Sequence, residues 1–366
     1  MASASWLSRP HVAALAKLLG VKYPIIQAPM VGVSTPQLAA AVSNAGALGS
    51  IGLGASDVEQ AREQIRVTRG LTSHPFNANF FCHTAATRDA AKERAWLAHM
   101  EPRFAEFGAS PPERLQCGYD SFMEVEEAMT TMLLEEKPAV VSFHFGLPSR
   151  ECVKTLRGAG IVTLGCVTSP SEAQLAEDAG VDGLVAQGYE AGGHRGVFDR
   201  DRDEKIGTYA LIRDLVVEST LPIIAAGGIM NGSGIAHCLD IGASGVQLGT
   251  SFILSPESSA TRAHREHLQR KGATTAISAA ISGRPARGLV NRLFRELGTD
   301  DIIRQMPSYP FPYDATKALS RAALATGSSE FAVHWAGMGA DQAREMPAGD
   351  LVRVLVEETQ RTWERS

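Results

Sequence analysis

From Tyr23 onward, short apolar runs alternate with amphipathic stretches. Eight of these runs, at residues 24–28, 47–51, 76–81, 139–144, 161–166, 183–187, 222–226 and 245–248, read as buried strands. They are apolar on both faces, as a parallel sheet covered by helices requires. The intervening stretches carry helix start and stop signals. Thr35-Pro36 opens a helix over 37–44 closed by Gly46, and Ser169-Pro170 opens one over 171–178 closed by Gly180. Asn231 opens a third over 233–240, closed by Gly242. Eight βα units joined by right-handed crossovers predict an α/β fold of the (β/α)8 TIM-barrel type. An open doubly wound sheet is the alternative, but no GxGxxG follows the first run to support it.

The pattern also shows where the chain exceeds a minimal barrel. Residues 83–137 are too many for one crossover helix and predict extra helical segments between the third and fourth strands. After the eighth strand, residues 255–320 carry a helical pattern, broken by an Arg/Gly/Pro segment at 282–288 and a Pro/Tyr-rich loop at 306–313. This predicts a small helical insertion over the barrel mouth, followed by a closing helix at about 341–358. The expected division is a cofactor-binding barrel at 1–255, the insertion at 256–320, and a segment returning to the barrel at 321–366.

Composition narrows the function classes. The 366 residues are 44% hydrophobic and 20% charged, the balance of a globular chain. A net charge of −5 supplies no basic field for nucleic acid. No apolar run approaches the roughly 20 residues that span a bilayer. Cys82, Cys117, Cys152, Cys166 and Cys238 are scattered, odd in number and never in a CxxC spacing. That pattern predicts no disulfide framework and no metal site, and a reducing compartment. The start is basic and Ser/Ala-rich up to Asp57, a composition that suits a targeting peptide. Val12, Leu15, Leu18 and Leu19 nevertheless repeat at helical spacing close to the first residue, so a cytoplasmic protein, monomer or homodimer, is expected.

In a barrel the C-terminal strand ends build the site. The first strand ends Gln27-Ala28-Pro29-Met30, the third carries Asn79, and the fourth ends at His144. After the sixth comes Gln187-Gly-Tyr-Glu-Ala-Gly192-Gly193-His194-Arg-Gly196. Three closely spaced glycines beside one imidazole point to close backbone approach next to a titratable group. The seventh strand ends in Gly227-Gly228 and the eighth in Gln247-Leu248-Gly249-Thr250. Loops at these two positions are where barrels bind phosphate, so a phosphorylated ligand is expected.

Together these motifs resemble the FMN-dependent nitronate monooxygenase family. The matching stretches are PIIQAPM (24–30), STPQLAAAVSNAGALG (34–49), VVSFHFGLP (140–148), GYEAGGHRG (188–196), PIIAAGGI (222–229) and GVQLGTSF (245–252). Flavin-dependent enoyl-carrier-protein reductases share the barrel and the Gly-Gly-His loop. His144 and the Tyr309-x3-Tyr313-x3-Lys317 array resemble the class I nitronate monooxygenase pattern more specifically. The resemblance implies FMN held by Ala28, Pro29, Met30, Asn79, Gln187, Gly192, Gly193, Gly227, Gly228, Gln247, Leu248, Gly249 and Thr250, with its phosphate at Gly228, Gly249 and Thr250. It implies a substrate pocket of His144, Tyr309, Tyr313 and Lys317, with His194 as catalytic base or as a cation that positions an anion. The implied reaction oxidises alkyl nitronates, and some neutral nitroalkanes, with O2 to a carbonyl compound and nitrite. The competing expectations are an NAD(P)H-dependent flavin reductase and a barrel that binds flavin without catalysis.

Three details are left to local geometry. Pro310 and Pro312 predict an extended loop for the two tyrosines, with Lys317 on the first turn of the next helix. Arg284 and Arg287 read as surface residues or ion-pair members, and Glu190 as a partner of either His194 or a loop amide.

Overall fold

The computed structural model describes residues 5–298 and 300–365. Eight parallel strands form its main sheet: β1 (Ile25–Gln27), β2 (Gly49–Gly52), β3 (Phe76–Phe81), β4 (Val140–His144), β5 (Val162–Val167), β6 (Gly183–Gln187), β8 (Ile223–Ala226) and β9 (Gly245–Leu248). Two residues between β6 and β8, Gly193–His194, form the short β7 of a second sheet. From β2 to β9 the spatial order follows the chain, and β1 lies beside β9 with Ile26 opposite Gln247. A parallel bridge from Ile26 to Leu48 brings β1 to the other edge, so the sheet closes as a TIM barrel. All eight apolar runs therefore form strands, with ends shifted by a residue or two.

The helix signals act as expected. Thr35 Oγ1 accepts the N–H of Leu38 and caps Pro36–Asn44. Ser169 and Asn231 do the same for Pro170–Ala179 and Gly232–Asp240. Each cap satisfies one backbone donor that helix geometry leaves open. The first helix, Pro10–Leu19, ends at Gly20 in a left-handed conformation (φ 67°). Its Leu15 and Leu19 pack among Ile26, Leu48, Leu164 and Ile224, side chains contributed by four barrel strands. This apolar plug fills the N-terminal end of the barrel, leaving the C-terminal mouth for a ligand.

The segment after β9 differs from a purely helical insertion. It contains β10 (Thr275–Ser278) and β11 (Ala286–Leu289), an antiparallel pair whose inner strand also binds β7, with Ala286 opposite His194. Main-chain pairing with the Gly/His loop, rather than an apolar pattern of its own, holds these strands in place. The closing helix starts at Ala348 and runs to Trp363, later than 341–358, because Pro347 stands at its N-cap. Between β3 and β4 lie the helices Ala90–Glu106 and Glu126–Glu136, as the length of that segment predicted. Trp96, Met100 and Phe104 of the first pack with Phe311, Leu319 and Phe331, forming a core outside the barrel. Among the described residues no helix is long and apolar enough to cross a membrane.

Candidate active site

The strand ends enclose a cavity of about 370 Å³, within the range of roughly 300–1,000 Å³ usual for small-molecule sites. Its floor comes from β1, β3, β4 and β6, through Ala28, Pro29, Met30, Asn79, Ser142, His144 and Gln187. The end of β9 adds Gln247 and Leu248, the loops after β8 and β9 add Gly227, Gly228, Gly249 and Thr250, and the loop after β6 adds Gly192, Gly193 and His194. The roof is formed by Tyr313 and Lys317 together with Trp335, Ala336 and Gly337. Among the described residues, no carboxylate lines the cavity.

The Gly/His loop is braced from below. Gln187 Nε2 donates to the carbonyl of His194 at 3.0 Å, and His144 Nε2 donates to the same oxygen at 3.3 Å. Gln187 Oε1 accepts from Gly196 N–H at 2.7 Å. Arg195 is fully buried, pairs with Asp203 at 2.9 Å and donates to the carbonyls of Gln187 and Gly188. Arg287 reaches from β11 to the carbonyl of Tyr189 and lies 5.1 Å from that ring. Gly192 is required here, since an added Cβ would lie 2.5 Å from the backbone of Ala336 and Gly337.

The imidazole of His194 is held as tightly. Its Nε2 is 2.8 Å from the hydroxyl of buried Ser282, which donates to the carbonyl of Arg284. Trp335, Phe145, Tyr309 and Tyr313 pack around the ring, with centroids 5.2–6.2 Å away. Burial, then the nearby His144, Arg284 and Lys317, push the His194 pKa down to about 3. Burial brings His144 down to about 4. Burial thus holds both rings neutral at neutral pH.

Lys317 is a cationic side chain on the cavity wall. Its ammonium lies 4.4 Å from the ring of Tyr313 and 5.8 Å from that of Tyr119, and it makes no ion pair among the described residues. Tyr313 and Lys317 both belong to the helix Phe311–Ala325. Proline is tolerated in a first helical turn because its missing N–H has no partner there. The helix therefore starts before Pro312, Tyr313 lies in its first turn, and Lys317 follows one turn later on the same face.

Tyr309 does not reach the cavity wall. Its ring touches His194, but its hydroxyl bonds that of Tyr119, and Tyr119 takes the wall position. Asn79 donates its amide nitrogen to Ser142 Oγ and the Ser142 carbonyl, which leaves its amide oxygen for the cavity. Glu190 accepts from Thr208 N–H and Oγ1 at 2.8 Å, which ties it to a loop amide and not to His194. Arg284 is not at the surface and forms no ion pair among the described residues; it is buried, with its guanidinium 4.6 Å from the Phe145 ring. Sequence reasoning missed Tyr119, Ser282 and Trp335, which lie in segments without a motif and meet the site only through tertiary packing.

A flavin mononucleotide fits this lining. At the strand ends β8 and β9, where a barrel would take a phosphate, Gly227 and Gly228 have φ values of 121° and 71°, open to glycine. An added Cβ on Gly249 would stand 3.4 Å from Ala28 and 3.6 Å from Met30 Sδ, filling the gap between two strand ends. Apolar Ala28, Pro29, Met30 and Val185 suit a ring system, and the lack of carboxylates suits a phosphate.

Comparison with known proteins agrees with this geometry. Residues 13–358 match the family model described as nitronate monooxygenase. A nitronate monooxygenase of Pseudomonas aeruginosa PAO1 is 57% identical over 344 residues, 93% of this chain and 97% of its own. One from Paraburkholderia phytofirmans is 51% identical over 354 residues, covering 96% of each. In three dimensions the chain is similar to nitroalkane oxidase from Streptomyces ansochromogenes, with a TM-score of 0.86, 38% identity, and 96% and 99% of the two chains covered.

Proposed function

The chain belongs to the nitronate monooxygenase family of flavin-dependent oxidoreductases, and from that premise we propose that it uses FMN and O2 to oxidise alkyl nitronates, and neutral nitroalkanes, to a carbonyl compound and nitrite. The carrying observation is a cavity that, among the described residues, is free of carboxylates and holds one unpaired ammonium and a neutral, rigidly held imidazole. Ala28, Pro29, Met30, Asn79, Gln187, Gly192 and Gly193 would hold the flavin ring, while Gly227, Gly228, Gln247, Leu248, Gly249 and Thr250 would hold the ribityl phosphate. When bound, the flavin supplies the electron acceptor for the substrate and the site of reaction with oxygen.

The protein's own part is binding and proton transfer. A nitronate carries its negative charge on two oxygens, and Lys317 with the phenol of Tyr313 offers donors to it. Burial pulls the Lys317 pKa down and pushes that of Tyr313 up, so the phenol stays protonated as a donor. For a neutral nitroalkane, the free nitrogen of His194 takes the proton from the carbon bearing the nitro group. Proton transfer leaves an imidazolium beside a nitronate, and each charge offsets the burial cost of the other. Nε2 hydrogen-bonded to Ser282, and the four surrounding aromatic rings, fix the ring for this step.

Anaerobic titration of the flavin-loaded protein provides the test. The 450 nm-region flavin absorbance should bleach with a nitronate and stay unchanged with NADH. The flavin released by denaturation should be FMN. Bleaching by NADH alone would replace this reading with a flavin reductase.

A further inference from the structure

A second hollow lies on the far side of Tyr309 from the active-site cavity. It measures about 300 Å³ and is lined by Thr84, Thr87, Ser308, Tyr309, Arg284 and the turn at 198–201. Arg284 is the unusual member. Its side chain is 95% buried (5% exposed), yet it forms no ion pair among the described residues. Among the described residues, the guanidinium's one hydrogen bond goes from a terminal nitrogen to the carbonyl of Val197 at 2.8 Å. Its faces rest on Phe145 and Tyr309, at 4.6 and 5.6 Å. A guanidinium has five N–H donors, and the donors left over are not sealed in protein, so they face the hollow.

The neighbouring carboxylates are otherwise engaged. Glu172 accepts from Phe198 N–H and from Thr168. Asp199 accepts from the N–H of Asp201, and Asp201 faces Arg200 at 3.7 Å. The hollow is lined by two arginines, Arg200 and Arg284, against the carboxylates of Asp199 and Asp201 and the hydroxyls of Thr84, Thr87 and Ser308. With Asp201 turned to Arg200, the unused donors of the buried Arg284 are the ones left for an anion. The planar fork of arginine matches two oxygens of one small anion, which a lysine does not.

We propose that this hollow is a second binding site, for a small planar oxyanion held by Arg284. On the proposed function, the reaction's own product, nitrite, is such an anion. Tyr309 is the shared wall, touching Arg284 on one side and His194 on the other. An anion bound there sits one ring away from the catalytic imidazole without occupying the substrate cavity.

Isothermal titration of the flavin-loaded protein with sodium nitrite tests this, using Lys317→Met to remove the ammonium of the first cavity. The expected result is nitrite binding in the wild type that persists in Lys317→Met. In Arg284→Gln it should weaken by at least about tenfold, the effect of losing charge-assisted hydrogen bonds. Binding that vanishes in Lys317→Met but survives in Arg284→Gln places nitrite in the substrate cavity and overturns the proposal, as does no binding to the wild type. Should Arg284→Gln fail to fold, Arg284→Lys keeps the charge without the fork; it should bind nitrite more weakly than the wild type but chloride equally. Equal nitrite binding there also overturns the proposal. Because binding is read without turnover, an inactive protein that binds nitrite leaves this site standing. An active protein that does not bind nitrite removes the site alone.

Discussion

At the scale of the residue, the site turns on His194. The Gly-Gly-His sequence marks it as functional, yet its charge state depends on Trp335, Phe145, Ser282 and Arg284, far away in the chain. With the neutral imidazole as the proposed base, the two substrate forms should separate in a variant. His194→Asn is expected to slow turnover of a neutral nitroalkane by about 10²–10⁴-fold, the usual contribution of a general base. Turnover of the preformed nitronate should change far less; equal losses would give His194 a binding role. Lys317→Met makes the complementary change, removing the cavity's ammonium while leaving the base. The KM for nitronates should rise by an amount equivalent to roughly 1.5–3 kcal/mol, the range for a hydrogen bond to a charge, with flavin content unchanged. Steady-state kinetics on the two variants and two substrate forms would check both assignments.

At the scale of the element, the strands and caps were legible because each depends on local pattern. Phe76–Phe81 and Gly183–Gln187 were read to the residue from apolar runs alone. The strands Thr275–Ser278 and Ala286–Leu289 were not, because TAIS and ARGL lack a buried alternating face; ARGL pairs through main chain with Gly193–His194, and TAIS pairs with ARGL. The loop so held is tightly packed at Gly192, so Gly192→Ala should lower both flavin content and the thermal midpoint, at a cost of about 1–3 kcal/mol from overpacking. Gly70 lies in the helix Val58–Leu71 with open space where a Cβ would stand, so Gly70→Ala should instead stabilise slightly. The segment carrying Trp335 adds a pH dependence. His334 stacks on His264 with centroids 4.8 Å apart and its Nδ1 lies 3.1 Å from that of His267. Burial holds His264 near 4 and His334 near 3, against 6.5 in an unfolded chain. Between those values the unfolded chain binds more protons, so stability rises with pH and is lost as pH falls from 6.5 toward 4. The thermal midpoint should therefore drop between pH 7 and pH 5, and His334→Asn should make that drop smaller.

At the scale of the whole molecule, the barrel was legible because eight βα units repeat one rhythm, whereas the layer over its mouth was not. That layer has no repeat, and its core joins residues far apart in sequence: Trp96, Met100 and Phe104 meet Leu293, Phe311, Leu319 and Phe331. Boundaries at 255 and 320 follow from where the barrel pattern stops. They carry no information about what the following residues pack against. If 256–320 were a folding unit of its own, its core would be separable from the flavin site. The packing argues for joint unfolding, because the helix carrying Leu319 also carries Tyr313 and Lys317, and β11 is paired with the loop of His194. Leu319 is fully buried, and Leu319→Ala should cost about 2–5 kcal/mol through lost burial and the cavity left behind. Thermal unfolding followed by flavin fluorescence and by far-UV circular dichroism should give coincident transitions in the wild type. In Leu319→Ala both should move down together. A variant in which a helical transition moves while flavin release keeps its midpoint would show the layer to be an independent unit, and would limit its role at the site to covering it.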